Sequence, residues 1–316
     1  MFRAWWGLGQ VPAGFGPCAL TIGNFDGIHA GHRKILATTR ESARALGCQA
    51  GVLIFDPHPM SVVAPERAPA LLTEPAERLR RFEEEGMDFG VVAKFTPQTA
   101  ALRAEDFVSQ VLVDRLHVRA VVVGEGFRFG HRQGGDFALL GKLGAQYNFE
   151  ARAVPAVVVG GDPVSSTRVR DAIRSGRVDE ARRLLERPFS LHGPVVAGHG
   201  VGSSQTVPTL NLAPQAQLLP ANGVYITETR DRASSRCWPS VSNIGCRPTF
   251  DGRALSVETH LLTPLDDASL SEIEICFHQR LRDEKRFATP AKLREQILAD
   301  VGEAKRFFRR LEASGG

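Results

Sequence analysis

The chain has 316 residues, room for two compact domains, and its 43% hydrophobic and 23% charged residues are those of an ordinary folded protein. The net charge of +4 is a mild basic excess, suited to phosphorylated small molecules and too small to argue for nucleic acid. No apolar run is long enough to span a bilayer, and the five cysteines (Cys18, Cys48, Cys237, Cys246, Cys276) are widely spaced without a CxxC pair. These features argue against a membrane protein, a disulfide framework and a zinc site. No signal-peptide pattern is seen in Met1–Gln10, so the expected location is the cytoplasm.

The first part of the chain alternates short apolar runs with amphipathic stretches. Strands are expected at Cys18–Gly23, Ala50–Phe55, Phe89–Phe95, Ala120–Gly124 and Phe149–Val154. Helices are expected at His32–Leu46, Pro75–Glu85, Ala104–Leu116 and Asp136–Ala145. This alternation predicts an α/β, Rossmann-like fold with a parallel sheet, which binds ligands beyond the carboxyl ends of its strands. Two further helices, Ser166–Ser175 and Val178–Leu185, lead to Arg187-Pro188, where the helical pattern breaks. A domain boundary is expected there, between residues 1–186 and 187–316.

Beyond it, β-type segments recur between Gly, Pro and Asn turns: Leu191–Ala197, Gly223–Thr229, Val241–Ile244, Leu255–Leu262 and Glu272–Phe277. They predict a small antiparallel barrel or sandwich. A C-terminal helix follows, with Thr289 as cap and Pro290 in its first turn. Its stripe of Leu293, Ile297, Val301, Ala304, Phe308 and Leu311 is expected to pack on the barrel.

Gly23-Asn24-Phe25-Asp26-Gly27-Ile28-His29-Ala30-Gly31-His32 joins the first strand to the first helix. Its glycines let backbone approach a ligand, and the helix start offers free N–H groups and a positive dipole end. His29 and His32 can donate to phosphate oxygens there; read as residues alone, they are also compatible with a structural pair or a metal pair. The turn lacks GxGxxG, which argues against a nicotinamide enzyme. Ser165-Ser166-Thr167-Arg168-Val169-Arg170 can grip phosphates through its hydroxyls and arginines, or be a capped helix with a basic face. No Walker motif occurs. Gly198 and Gly200 lie in a glycine-rich run that can cradle phosphate or turn a hairpin. Thr209 and Asn211 alternate along an extended segment and can offer oxygens to Mg²⁺. Glu258 can be a general base or simply face solvent.

Taken in order and spacing, the first-half motifs resemble the bacterial bifunctional riboflavin kinase/FMN adenylyltransferase (FAD synthetase) family. They are Thr21–His32, Phe55-Asp56-Pro57-His58-Pro59, Val123-Gly124-Glu125-Gly126-Phe127-Arg128-Phe129-Gly130 and Ser165–Arg170. The second half is similar to the riboflavin kinase module at Pro208-Thr209-x-Asn211, Asn222-Gly223-Val224-Tyr225 and Asn243-Ile244-Gly245-x-Arg247-Pro248-Thr249. The similarity continues at Glu258-x-His260 and Leu281-Arg282-x-Glu284-x-x-Phe287. The resemblance implies a nucleotidylyltransferase domain followed by a kinase barrel, with ATP, riboflavin and FMN as substrates and Mg²⁺ accompanying ATP. FMN and FAD are the products, and neither nucleic acid nor membrane is involved.

By the same resemblance, Gly23, Asn24, Phe25, Asp26, His29 and His32 belong to the ATP site. Ser165, Ser166, Thr167 and Arg168 hold its outer phosphates. Pro57, His58, Phe127, Arg128, Phe129 and Arg282 meet flavin, the two phenylalanines being equally at home in a core. Thr209 and Asn211 hold Mg²⁺-ATP, Gly198 and Gly200 cradle it, and Glu258 is the base. Two stretches depart from the family: 202–207 lacks the usual Gly-Arg-x-Leu-Gly-Phe, and 263–271 lacks the usual acidic Asp-Phe-x-x-Asp-Leu-Tyr-Gly. Kinase activity is expected to survive these changes in weakened form. An FAD synthetase whose barrel only binds flavin, or a nucleotidylyltransferase for another metabolite, are the alternative readings.

Overall fold

The computed structural model describes residues 1–196, 209–213, 217–234, 236–249, 252–265, 270–285 and 287–313, with backbone alone at 246–249 and 252–255. The chain divides into two compact units, Met1–Ser166 and Thr167–Gly316.

In the first unit the order is β1 (Arg3–Trp6), β2 (Cys18–Ile22), α1 (Ala30–Ala45), β3 (Gln49–Asp56), α2 (Pro59–Val63), α3 (Pro75–Glu84) and β4 (Phe89–Lys94). It continues with α4 (Pro97–Ala100), α5 (Ala104–Asp106), β5 (Val118–Gly124), α6 (Phe137–Tyr147), β6 (Glu150–Val154) and a small hairpin, β7 (Val158–Val159) and β8 (Asp162–Pro163). Six strands form one sheet in the order β1-β4-β3-β2-β5-β6, every pair parallel. All five residues of β2 are buried, as a central parallel strand requires. One apolar layer (Leu20, Val121, Phe107, Leu112, Leu140) covers one face, and a second (Leu36, Val52, Ile54, Phe82) covers the other. After β4 the chain crosses to the far side of β2, so the strand order reverses between β2 and β5. Such a reversal opens a crevice at the strand ends.

Besides the short α2, α4 and the β7–β8 hairpin, which the sequence expectation did not include, two elements differ from it. The short β1 adds a sixth strand beside β4, anchored by Trp5 at 4.9 Å from the Phe15 ring and 5.6 Å from Phe89. The helix expected over 104–116 is α5 followed by a π-helix, Phe107–Val113. Its buried Phe107 and Leu112 lie five residues apart, the spacing that i→i+5 winding aligns.

The second unit begins with α7 (Ser166–Arg174) and α8 (Val178–Leu185), followed by β9 (Phe189–Val196), β10 (Leu210–Leu212) and β11 (Gly223–Asp231). Then come β12 (Cys237–Thr249), β13 (Gly252–Leu261), β14 (Glu272–Arg282) and α9 (Pro290–Ala313). The compact division thus falls ahead of the boundary expected after Glu186. The reason is packing: Val178, Ala181, Leu184 and Leu185 of α8 are buried, and α8 lies on β9 and β14.

The strands close into an antiparallel barrel, β10-β13-β12-β11-β14-β9. Part of its interior is apolar, with Tyr225 and Phe189 against Phe277. The rest is a buried hydroxyl ladder. Thr227 Oγ1 lies 2.8 Å from Ser240 and 2.7 Å from Ser242; Thr229 Oγ1 lies 2.9 Å from Ser240; Ser242 donates to Thr259 Oγ1 at 2.8 Å. The expected cap on α9 is present, with Lys292 N–H donating to Thr289 Oγ1 at 3.3 Å. Of the apolar stripe, Ala304 and Phe308 pack on Ile226 of the barrel, with Leu311 beside them. Leu293, Ile297 and Val301 instead border a cavity between α9 and the barrel.

Candidate active sites

The loop 23–29 leaves β2 at the crevice. Phe25, Gly27 and Ile28 take positive φ of 49°, 86° and 44°. The Asp26 side chain is 1% exposed and turned inward, where it accepts N–H bonds from Leu72 at 3.0 Å and Thr73 at 2.9 Å. Gly27 N–H donates to Thr73 Oγ1 at 3.0 Å. The Asn24 carbonyl accepts from Arg78 Nη1 at 2.7 Å, and the Asp26 carbonyl from Ser166 Oγ at 2.9 Å. Phe25 is buried in the apolar layer around α1, while Gly23 at the head of the loop is half-buried.

His29 caps α1, its Nδ1 accepting the His32 N–H at 3.3 Å. The uncharged ring therefore carries its proton on Nε2. The two imidazoles stack at 3.7 Å and 14°, and His32 leans on Phe25 at 4.8 Å. Burial, then His29 and Arg78, hold the His32 pKa well below the ordinary value. Its Nδ1 is buried without a hydrogen-bond partner among the described residues.

Past β3, Pro57 is exposed and His58 caps α2 through Met60 N–H at 3.2 Å. His58 Nε2 lies 2.9 Å from the Asn24 amide nitrogen, which brings the two motifs together. Past β5, Phe127 and Phe129 stack at 5.4 Å; Phe129 is buried in the core and Phe127 packs against it. Arg128 between them is exposed, 3.6 Å from Asp136. Ser165 is exposed and Ser166 half-buried. Thr167 and Arg168 continue into α7, with Arg168 Nε 3.7 Å from Glu180. Sequence reasoning missed Thr73 and Arg78. The signal was there for Arg78, which falls four residues before buried Phe82 on the apolar face of α3.

In the second unit a cavity of about 630 Å³ is bordered by Thr209, Asn243, Glu258, Arg282 and the first half of α9. Glu258 on β13 faces Asn211 on β10 and Asn243 on β12 in register, so the three side chains share one face of the sheet. Arg282, expected beside flavin, forks onto the buried Asp300 of α9, at 3.1 Å from Nε and 2.7 Å from Nη2. Gln296 also donates to Asp300 at 2.9 Å. The expected cradle at Gly198 and Gly200, the departure at 202–207 and part of that at 263–271 lie outside the described residues.

A family model described as FAD synthetase matches residues 12–168, and one described as riboflavin kinase matches residues 185–308. Relatives include the bifunctional riboflavin kinase/FMN adenylyltransferases of Escherichia coli K12 (38% identical, covering 92% of this chain and 93% of the relative) and Pseudomonas fluorescens (40%, covering 91% and 92%). That of Haemophilus influenzae is 33% identical and covers 92% and 94%. A solved structure described as a macrolide-efflux protein from Streptococcus pneumoniae is similar at TM-score 0.85 and 26% identity, covering 96% of this chain and 98% of that one. Among the described residues no helix is long and apolar enough to cross a membrane. The order of the two matches and the near full-length relatives agree with a sheet unit followed by a barrel unit: the chain belongs to the bifunctional riboflavin kinase/FMN adenylyltransferase family.

Proposed function

We infer that the chain turns riboflavin into FMN in its second half and FMN into FAD in its first, both steps being ATP-dependent group transfers. The functional division is placed after Glu186, close to the start of the second family match at residue 185.

In adenylyl transfer an FMN phosphate oxygen attacks the α-phosphorus of ATP, and pyrophosphate leaves. The observation that carries the site is the stacked His29–His32 pair at the start of α1, beside the reversal of strand order. Their imidazoles donate to α-phosphate oxygens as charge builds there, where fixed donors stabilise it most. Ser165, Ser166, Thr167 and Arg168 take the departing pyrophosphate, and Gly23 lets it approach the backbone. Asn24 with His58, Pro57 and the Phe127–Phe129 loop form the nucleotide and flavin walls. Phe25 and Asp26 serve from behind: one props His32, the other fastens the loop. The test is FAD formation from supplied FMN, ATP and Mg²⁺. His29→Ala with His32→Ala is expected to abolish it, and wild-type FAD production would overturn the assignment.

In riboflavin phosphorylation Glu258 accepts the proton of the ribityl 5′-hydroxyl as its oxygen attacks the γ-phosphorus of ATP and ADP leaves. Thr209 and Asn211 offer neutral oxygens only, which suits a Mg²⁺ ion that arrives with nucleotide phosphates as its other ligands. Such an ion would offset phosphate charge. Gly198 and Gly200 are assigned to the nucleotide cradle by the family resemblance, and Arg282 to the flavin side of the cavity. Glu258→Ala is expected to stop FMN formation from riboflavin while FMN is still converted to FAD. Retained FMN formation, followed by liquid chromatography, would refute the role of Glu258.

A further inference from the structure

The loop that presents His29 is bent through backbone angles seldom held by side chains, at Phe25 and Ile28 as well as Gly27. Such a bend persists only where surrounding groups over-determine it. Here, apart from Ser166, whose hydroxyl donates to the Asp26 carbonyl, those groups come from one stretch, residues 72–78. Leu72 and Thr73 N–H groups take the Asp26 carboxylate, and the Thr73 hydroxyl takes Gly27 N–H. Arg78 closes the circuit. Its Nη1 donates to the Asn24 carbonyl at 2.7 Å and its Nε to the Thr73 carbonyl at 3.2 Å, so one guanidinium grips both chain segments. It is 1% exposed, although a surface helix normally leaves arginine heads in water.

We propose that Arg78 is a positioning residue for adenylyl transfer: by bracing the carbonyls of Asn24 and Thr73 it fixes the loop that aims His29 and His32. This rests on the reading of the two histidines given above. Arg78 acts through the loop. His29 follows Ile28 directly, and its ring in turn caps α1, so slack at Asn24–Ile28 is passed to the donors. Catalysis by fixed donors depends steeply on their placement, and a shift of about 1 Å can cost about 100-fold in rate. The family resemblance did not mark this residue, and its neighbours Arg80 and Arg81 do different work, pairing with Glu77. Lysine cannot reproduce the grip, because it lacks the planar fork.

The experiment compares Arg78→Met and Arg78→Lys with wild type in the full chain, following FAD formation from FMN and, separately, FMN formation from riboflavin. Arg78→Met is expected to lower kcat for FAD formation about 100-fold. KM for ATP and FMN should stay within about threefold, since the loss falls in the transition state. Arg78→Lys should recover part of that loss, and riboflavin phosphorylation should be unchanged in both. Should Arg78→Met not fold, Thr73→Val, which removes the acceptor for Gly27 N–H, is expected to lower the same kcat about tenfold. Wild-type kcat in these variants, or a raised KM with kcat intact, would overturn the inference. The controls are the His29 and His32 variants. FAD formation that survives them sinks the reading of the site itself. FAD formation lost in them but normal in the Arg78 and Thr73 variants sinks the bracing role alone.

Discussion

His278, on β14, is 8% exposed, and neither ring nitrogen has a hydrogen-bond partner among the described residues. The Phe307 and Phe308 rings of α9 lie 5.7 Å away. Burial drives its pKa down to about 4, with Glu228 opposing and Arg182 and Arg230 adding to the fall. Unfolded, the same imidazole titrates near 6.5. Between these values the unfolded chain binds a proton that the folded one refuses, so stability is lost as pH falls from about 6.5 towards 4. The loss approaches about 1.4 kcal/mol per pH unit for one such group. His278→Phe is therefore expected to flatten the decline in melting temperature between pH 7 and 5. An unchanged pH slope would show that His278 is not its source. Gly51 gives a steric counterpart: a Cβ there would sit 1.9 Å from the Phe89 ring. Gly51→Ala, in the middle of β3, must displace that ring from the sheet core. It is expected to lower stability by about 1–3 kcal/mol in denaturant melts.

Among elements, α9 has two jobs along one stripe. Its second half is glued to the barrel by Ala304 and Phe308, while its first half borders the cavity and is tied by the fork from Arg282 to Asp300. Removing one partner of a buried pair leaves the other uncompensated. Asp300→Asn is expected to destabilise the barrel unit by about 3 kcal/mol. It should also raise the KM for riboflavin, with FMN adenylylation preserved; an unaltered kinase KM would detach the strap from the site. Except for the short β1, the parallel strands were legible in sequence because they are apolar runs between turns, and α1 because it is an amphipathic stretch behind a clear cap. The long β12 was not: only Val241–Ile244 showed, because its inward residues Ser240 and Ser242 are polar and hide the alternation. The histidine pair, Asn24 with His58, and Glu258 with Asn211 were legible as motifs. Asp26 was legible only as a member of one, and its inward turn follows from Leu72 and Thr73, 46 and 47 residues away in the chain. Such pairings leave no local pattern.

At the scale of the whole molecule, the roles proposed for the two reactions fall on separate constellations, His29 and His32 in one unit and Glu258 in the other. Each can thus be silenced while the other runs, and mixing the two silenced chains should restore FAD production from riboflavin through free FMN. Failure of that mixture, with each remaining single step intact, would show that FMN does not travel between molecules. The barrel carries a different consequence. Its hydroxyl ladder draws Thr227 and Thr229 from β11, Ser240 and Ser242 from β12, and Thr259 from β13. The hydroxyls of β11 and β12 pair with one another, but Ser242 finds the acceptor for its own proton, Thr259, only on β13, and an unpaired buried hydroxyl is costly. A half-built barrel must therefore stay wet, and water can leave only when the third strand docks. The amides of β11, β12 and β13 should accordingly exchange with solvent deuterium as one cooperative group, opening together rather than strand by strand.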